Sequence, residues 1–184
     1  MRIVYTSLLA LMLALPVGAG TLAGVTLPDK AEVNGHSLVL NGMGLRSKFF
    51  IKVYVGGLYL AQKEKSAAQV VSADAPRRMV MHFLYSVTKE QMCEAWEEGL
   101  TQNTSNAPAD VKKGFMTLCS WMEPIKKGNQ IVLTYIPGEG THVEVNGKMK
   151  GTLPGKPTAD AIVNTWIGPD PAPGADFKKA VLGG

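Results

Sequence analysis

The sequence has few of the residues on which most catalytic and metal sites depend. Its 184 residues include two cysteines and three histidines. His36, His82 and His142 lie far apart, without a cysteine or carboxylate at the spacing of metal ligands, so we predict no metal site. The motifs typical of serine hydrolases, phosphate-binding loops and dinucleotide-binding folds are also missing. The sequence therefore indicates no cofactor.

Strong charge and long apolar runs are lacking as well. The net charge is +4, and the lysines are scattered in pairs, which argues against a nucleic-acid partner. Beyond the amino-terminal region, no stretch is long and apolar enough to cross a bilayer, so we predict no stable membrane insertion. The sequence does not indicate an oligomeric state.

The amino terminus carries the features of a secretory signal. One cation, Arg2, precedes the apolar run 8–15, and the helix breaker Pro16 and small residues follow. We predict a signal peptide over residues 1–19, cleaved after Ala19 or, alternatively, after Ala23. The rest, residues 20–184, is long enough for a single domain with its own core. An uncleaved anchor is disfavoured because Pro16 interrupts the apolar run.

Alternating patterns and turn signals predict an antiparallel sheet. A lead strand near 25–27 and the hairpin turn at Asn34-Gly35 come first. Residues 77–85 alternate as a further strand, and Asn146-Gly147 turns one more strand pair. The remaining predicted strands cover 130–135, 142–145 and 148–153.

Three longer helices are predicted between and after these strands. Thr88, with Gln91 three residues on, forms a capping box for the first. Pro108 suits the start of the second, which Pro124 ends, and Thr158 is predicted to cap the last. The order of elements indicates an α+β domain, with helices covering one face of an antiparallel sheet.

Residues 40–60 contain the arginine that most needs an explanation. Arg46 follows a glycine-rich segment, 42–44, that we interpret as a turn before a long strand. If that strand is unbroken, its two faces differ in character. The predicted core face holds Leu45, Phe49, Ile51, Val53, Val55 and Tyr59, and the other face holds Arg46, Lys48, Phe50, Lys52, Tyr54 and Leu58.

A guanidinium fixed among aromatic groups is suited to holding a carboxylate or phenolate on an apolar ligand. It stays charged at any ordinary pH and can form two parallel hydrogen bonds to such a group. The alternative is that Arg46 is a solvated arginine on a sheet surface, and the residue pattern alone leaves both open.

Three segments together resemble a known family. The pattern Gly-x-Gly-Leu-Arg, followed by Lys-Phe-Phe-x-Lys-Val-Tyr, resembles the opening hairpin of the chalcone isomerase family, in its bacterial chalcone isomerase-like branch. Residues 127–141 resemble its middle hairpin. Residues 161–169 and 177–183 resemble its closing helices. The resemblance implies an open-faced β-sandwich, with a ligand between sheet and helices, and, with the signal peptide, a periplasmic location.

The resemblance also implies site residues. Arg46 matches the arginine that stabilises negative charge on the substrate of the plant isomerases. Tyr54 stands where those enzymes have a threonine, Tyr85 is the nearest equivalent of a site tyrosine, and the polar pair near the closing helix falls at Pro157 and Thr158. One catalytic element of several is therefore retained.

Two functions follow as hypotheses. We favour an exported noncatalytic protein that binds a small apolar anion such as a fatty acid, with Arg46, Tyr54, Tyr85 and Thr158 as ligand-binding residues. The alternative is an intramolecular lyase or isomerase acting on a phenolic or enone compound, with Arg46, Tyr54 and Tyr85 as catalytic residues. A weaker third possibility is a structural partner protein of the envelope.

The cysteines offer a further hypothesis. Cys93 and Cys119 lie on consecutive predicted helices and, after export, would reach an oxidising compartment, where a disulfide is plausible. Cys119 also belongs to an apolar helix stripe, so two buried thiols are the alternative.

Overall fold

The structure, a computed structural model, describes residues 18–184. The apolar run of the predicted signal peptide lies outside the described residues. Within them the chain forms nine strands and five helices. The strands are β1 (Ala19–Leu22), β2 (Val25–Pro28), β3 (Lys30–Val33), β4 (His36–Lys48), β5 (Ile51–Leu60), β6 (Arg77–Phe83), β7 (Gln130–Ile136), β8 (Gly140–Val145) and β9 (Lys148–Leu153). The helices are α1 (Ala67–Ser72), α2 (Lys89–Asn103), α3 (Ala109–Ser120), α4 (Lys156–Ile167) and α5 (Ala175–Val181).

Seven strands form one antiparallel sheet in chain order, from β3 to β9. Tight two-residue turns at Asn34-Gly35 and Asn146-Gly147 close two of its hairpins, as the sequence predicts. Strands β1 and β2 pair separately as a two-stranded ribbon. The predicted α+β architecture is confirmed.

Each face of the sheet has its own core. The larger core lies between the sheet and the helices, and it includes Leu58, Phe83 and Trp166. The smaller one lies on the opposite face, where Val25 and Leu27 of the ribbon are buried in one cluster with residues of the sheet. Both faces of the central strands are therefore covered, which is why these strands are apolar on both sides.

The segment 40–60 differs from its predicted form in two ways. Gly42 and Gly44 lie within strand β4, which has a bulge between Leu40 and Gly42, rather than in a turn. The strand is also not continuous, because the chain reverses at Phe49-Phe50 and pairs Lys48 with Ile51. Phe49 and Ile51, predicted to face the core, are therefore exposed at the tip of a hairpin.

The glycines of this hairpin make room for helix α5. A side chain at Gly44 would lie 2.7 Å from the ring of Phe177, and one at Gly56 would lie 2.5 Å from it. At Gly42 an added Cβ would be 2.1 Å from the backbone oxygen of Ala180. The glycine pattern therefore reflects close packing of the carboxy-terminal helix on β4 and β5.

Helix α4 begins earlier than predicted. Its N-cap is Gly155, whose φ of 84° favours glycine, and Pro157 occupies the first turn, where a missing N–H costs nothing. Thr158 consequently lies inside the helix and is buried. The capping role predicted for Thr158 is wrong, whereas the capping box of Thr88 and Gln91 is confirmed.

Arg77 anchors the sheet to the helices at one end of the molecule. It is 4% exposed. Its guanidinium donates to Asp160 of α4 at 2.5 Å and to the backbone oxygen of Val70 at 3.2 Å, and it lies 4.8 Å from the ring centre of Tyr135. Asp160 also pairs with Lys156 at 2.6 Å. Arg77 is thus a structural arginine whose charge is matched inside the protein.

Across residues 18–184, none of the helices combines the length and the apolarity that crossing a bilayer would require.

Candidate functional site

A cavity of about 320 Å³ lies between the sheet and the helices, beside the β4–β5 hairpin. Strands β4, β5 and β6 form one wall, and helices α2 and α4 form the other. Its lining consists mainly of apolar and aromatic side chains with a few polar groups, as in small-molecule sites generally. The apolar and aromatic lining residues are Phe49, Ile51, Val53, Tyr54, Met81, Phe83, Tyr85, Val87, Met92, Ala95, Trp96, Trp166, Ala172 and Pro173.

Arg46 and Tyr54 enter this cavity from neighbouring strands. They are directly opposite each other in the β4–β5 register, so their side chains lie on the same face of the sheet. That face is the one covered by helices. Arg46 is half-buried, and among residues 18–184 its guanidinium forms no hydrogen bond or ion pair. Its charge is therefore available to a group inside the cavity.

Tyr54 lies deeper and is held rigidly. Its ring packs against Phe83 at 5.5 Å and against Phe177 at 5.8 Å between ring centres. The indole Nε1 of Trp166 donates to the Tyr54 hydroxyl at 3.0 Å. Since that hydroxyl accepts from Trp166, its own proton can be donated to a second group.

Burial raises the pKa of Tyr54 to about 12, although the bond from Trp166 and the nearby charge of Arg46 act in the opposite direction. The hydroxyl therefore stays protonated throughout the physiological range. Arg46 and Tyr54 together offer a fixed positive charge and a neutral hydrogen-bond donor on one wall of the cavity.

The helix wall adds two tryptophans. Trp96 of α2 and Trp166 of α4 pack edge to face, with ring centres 5.4 Å apart. The buried Nε1 of Trp96 has no hydrogen-bond partner in the described part of the chain. A buried indole N–H without a partner is unusual, and because Trp96 lines the cavity, we regard this N–H as a further donor near the site.

The mouth of the cavity carries charges of both signs. Lys48 lies on the hairpin side, and Glu94 and Glu98 lie on helix α2. Tyr85 also lines the cavity and is 52% exposed, so its ring is at the rim and not in the interior. The charged groups at the rim are separated by element, with cations on the hairpin and carboxylates on the helix.

The structure brings together three of the four predicted ligand residues. Arg46, Tyr54 and Tyr85 line one cavity. Thr158 does not, because it packs on α3, where a side chain at Gly114 would lie 2.7 Å from its methyl group. Thr158 therefore lies outside this cavity, because α4 starts before it and the residue is buried inside the helix.

Sequence reasoning missed other lining residues. Trp96 and Met92 belong to an apolar stripe of α2 whose spacing is also that of core residues, and Thr165 and Trp166 of α4 carry no sequence signal of a site. Helical periodicity shows that such residues face inward, but it cannot show that a space remains between them and the sheet.

The two cysteines are joined in the structure. The disulfide Cys93–Cys119 links α2 to α3, with Cα atoms 5.1 Å apart and a sequence separation of 26. It holds the helix that carries Trp96 to its neighbour. Within the described range, no cluster of three or more histidine, cysteine or acidic side chains could hold a metal ion.

Comparisons with known proteins agree with this architecture. A search of curated proteins gave no match. The crystal structure of a fatty-acid-binding protein from Arabidopsis thaliana superposes with a TM-score of 0.70 at 18% sequence identity, covering 90% of this chain and 96% of the other. At that identity the likeness shows a shared fold. The family model for chalcone isomerase-like proteins matches residues 19–183. The chain therefore belongs to the chalcone isomerase-like family.

Proposed function

We propose that this protein binds a small apolar anion such as a fatty acid, with the carboxylate held by Arg46. The observation that carries the proposal is the position of Arg46, a half-buried guanidinium in a largely apolar cavity without a carboxylate partner among residues 18–184. A charge removed from water needs compensation, and an anionic ligand supplies it.

The polar groups suit a carboxylate. Arg46 can donate two parallel hydrogen bonds, and the Tyr54 hydroxyl, already accepting from Trp166, can donate one more. Because the pKa of Tyr54 is about 12, the hydroxyl remains a donor while the ligand is ionised. Tyr85, at the rim, is placed to contact a ligand that extends out of the cavity.

The remaining lining suits an apolar chain. Met81, Phe83, Met92 and Trp96 present hydrocarbon, sulfur and aromatic surface to the interior. The volume of about 320 Å³ is at the lower end of ligand sites, which span roughly 300–1000 Å³. The fatty-acid-binding protein with the same fold makes this ligand class a reasonable first choice.

Competition with a fluorescent fatty-acid analogue tests the proposal. Unlabelled dodecanoate should displace the probe from the wild-type protein. Arg46→Ala should weaken binding by about tenfold to a hundredfold, since hydrogen bonds to charged groups contribute roughly 1.5–3 kcal/mol. Arg46→Lys should restore part of the affinity, because lysine keeps the charge without the planar fork.

Arg78→Ala is the matched control. Arg78 is a half-buried arginine of the same sheet, and it donates to Thr134 at 2.9 Å outside this cavity. Its removal changes the net charge equally and should leave the affinity within about twofold. Equal loss in the Arg46 and Arg78 variants, or no binding by the wild type, would refute the proposal.

We further propose that the protein is exported to the periplasm and cleaved after Ala19. Strand β1 spans Ala19–Leu22, so this cut preserves nearly the whole strand, whereas cleavage after Ala23 would remove it. Intact mass of the protein recovered from its own host distinguishes the two sites. An unprocessed mass would contradict export by a cleaved signal.

Catalysis of the chalcone isomerase type remains the alternative, because Arg46 with a neighbouring donor could also stabilise an enolate. We expect no turnover comparable to a dedicated isomerase, since the bulky ring of Tyr54 occupies the position of a threonine and is fixed by Trp166. The absorbance of a hydroxychalcone, followed with wild type and Arg46→Ala, provides the test. Fast, arginine-dependent and stereoselective turnover would establish an enzyme.

A further inference from the structure

The tip of the β4–β5 hairpin departs from the turn chemistry used elsewhere in this chain. Two-residue turns also close the pairs Leu22–Val25, Val33–His36 and Val145–Lys148, and each has glycine at its second position. The β4–β5 turn instead consists of Phe49 and Phe50.

This choice is unfavourable for the fold. Phe49 has a φ of 56°, in the left-handed region that bulky side chains avoid. Phe49 is 88% exposed and Phe50 is fully exposed, so neither ring gains from burial in the protein. Two aromatic rings kept in water at a turn that favours asparagine and glycine indicate a contact outside the chain.

The surroundings of these rings identify the kind of surface that fits. Exposed Lys48 and Lys52 flank the tip on its two strands, and no acidic residue lies in the segment 45–60. Ile51 is 44% exposed and extends the apolar surface. Aromatic rings between lysines match the boundary of an anionic bilayer, where rings enter the headgroup region and cations pair with phosphates.

The tip also adjoins the cavity. Phe49 and Ile51 are both exposed and part of its lining, and Tyr85 at the rim has its backbone N–H bonded to the Val53 oxygen at 3.2 Å. Glu94 and Glu98 lie on the opposite, helical side of the mouth. A membrane would therefore attract the hairpin side of the mouth and repel the helical side, which defines an orientation.

We propose that the Phe49-Phe50 tip, with Lys48 and Lys52, docks on an anionic lipid surface and sets the mouth of the cavity against it. An apolar ligand could then pass between bilayer and cavity without crossing water. The docking proposal depends only on the residues of the tip, whereas the transfer of a ligand also rests on the proposed function.

Cosedimentation with sucrose-loaded vesicles tests the docking. The vesicles contain phosphatidylcholine, either alone or with phosphatidylglycerol. Before the experiment, a measurement of intact mass establishes at which residue the purified protein begins. The wild type should bind the anionic vesicles and bind neutral ones at least tenfold more weakly. Lys52→Gln should lose about fivefold on anionic vesicles, the effect of one cation near a charged bilayer. No binding to anionic vesicles would overturn the proposal.

Phe50→Ser tests the aromatic contribution and should lose about tenfold or more. Because Phe50 does not line the cavity, the Phe50→Ser variant should bind dodecanoate in the absence of vesicles with the same affinity as the wild type. A second variant, Phe49→Asn with Phe50→Gly, copies the Asn34-Gly35 turn and should fold at least as well while losing vesicle binding. Wild-type vesicle binding by both variants would refute the role of the tip.

Two matched controls complete the design. Met116→Gln removes a 73% exposed apolar side chain of α3, and Lys112→Gln with Lys113→Gln removes two exposed cations of the same helix. Both should bind vesicles within twofold of the wild type, and losses of vesicle binding equal to those of the tip variants would show nonspecific adsorption.

Two other outcomes are informative. If the wild type forms dimers that Phe50→Ser abolishes, and does not bind vesicles, the tip contacts a second copy of the chain instead. A wild type that binds vesicles but not dodecanoate would refute the proposed function and leave docking intact.

Discussion

Arg46 and Arg77 lie on the same helix-covered face of the sheet, near opposite ends of β5, in contrasting environments. Arg77, paired with Leu60 of that strand, is enclosed by Asp160, the Val70 carbonyl and the ring of Tyr135. Arg46, opposite Tyr54, lines a cavity and has no such partner among residues 18–184. The partners supplied by the fold, and not the residue type, separate a structural arginine from one suited to a ligand.

The largest effect on stability is expected at Arg77. Arg77→Ala removes a buried guanidinium together with its hydrogen bonds, and it should lower the free energy of unfolding by about 3–5 kcal/mol. Lys156 still neutralises Asp160, which favours the lower end of that range. Urea denaturation measures the change, with Arg78→Ala as the control. A loss below about 1 kcal/mol would show that Arg77 is not the anchor described here.

The disulfide should follow in size. Replacing Cys93 and Cys119 by serine opens a loop across 26 residues and should cost about 2–4 kcal/mol. This substitution destabilises the helix layer beside Arg46 without changing a charge, so it separates the effect of lost packing from the effect of a lost arginine. Alkylation of both cysteines without reductant in freshly purified protein would show that the bridge is absent.

High pH should lower the free energy of unfolding because Tyr54, in the cavity wall, keeps its proton in the folded protein. Its pKa is about 12 in the folded protein, against about 10 in the unfolded chain. Between these values the unfolded state has lost a proton that the folded state retains, so stability is intact below pH 10 and falls by about 1 kcal/mol per unit above it.

Unfolding midpoints in urea at pH 9 and pH 11 measure this fall. Burial and a bond to Asp74 raise the pKa of Tyr135, beside Arg77, as well, so both ends of the sheet contribute. In Tyr54→Phe, stability should fall less between pH 9 and pH 11 than in the wild type, because only the part due to Tyr135 remains. Equal pH dependence in the two proteins would contradict the account of Tyr54.

The smallest effect on stability is expected at Arg46. Since its side chain has no partner in the described chain, Arg46→Ala should change the free energy of unfolding by less than about 0.5 kcal/mol. Thermal and urea unfolding of ligand-free protein provide the measurement. A loss approaching that of Arg77→Ala would remove the contrast between the two arginines.

Much of this site could be predicted from sequence. The hairpin motif, through its resemblance to a known family, predicts Arg46 and Tyr54 as site residues, and strand pairing places them opposite each other. The capping box at Thr88 was readable from its spacing. Signals of this kind depend on residues close together in sequence, so they can be recognised before the tertiary structure is known.

Other features could not be read in that way. The Phe49-Phe50 turn contains no glycine or asparagine, so the alternating pattern of the sequence does not show that the chain reverses there. Thr158 does not cap α4, because Gly155 is the N-cap and Pro157 lies in the first turn, so the helix starts three residues earlier than a Thr158 cap would place it. The tryptophans lining the cavity matched a core pattern, since only the spacing of sheet and helices decides whether inward residues meet or leave a space.

The most direct test of the central claim is the ionisation of a bound carboxylate. Dodecanoate labelled with ¹³C at its carboxyl carbon can be titrated by NMR in complex with the wild type, Arg46→Ala and Arg78→Ala. If Arg46 holds the head group, the pKa of the bound carboxyl is lower than in water in the wild type and the Arg78 variant. In Arg46→Ala it is higher than in water, because the apolar cavity then disfavours the charged form. The same titration curve in all three proteins would contradict the assignment of Arg46 as the ligand-binding arginine.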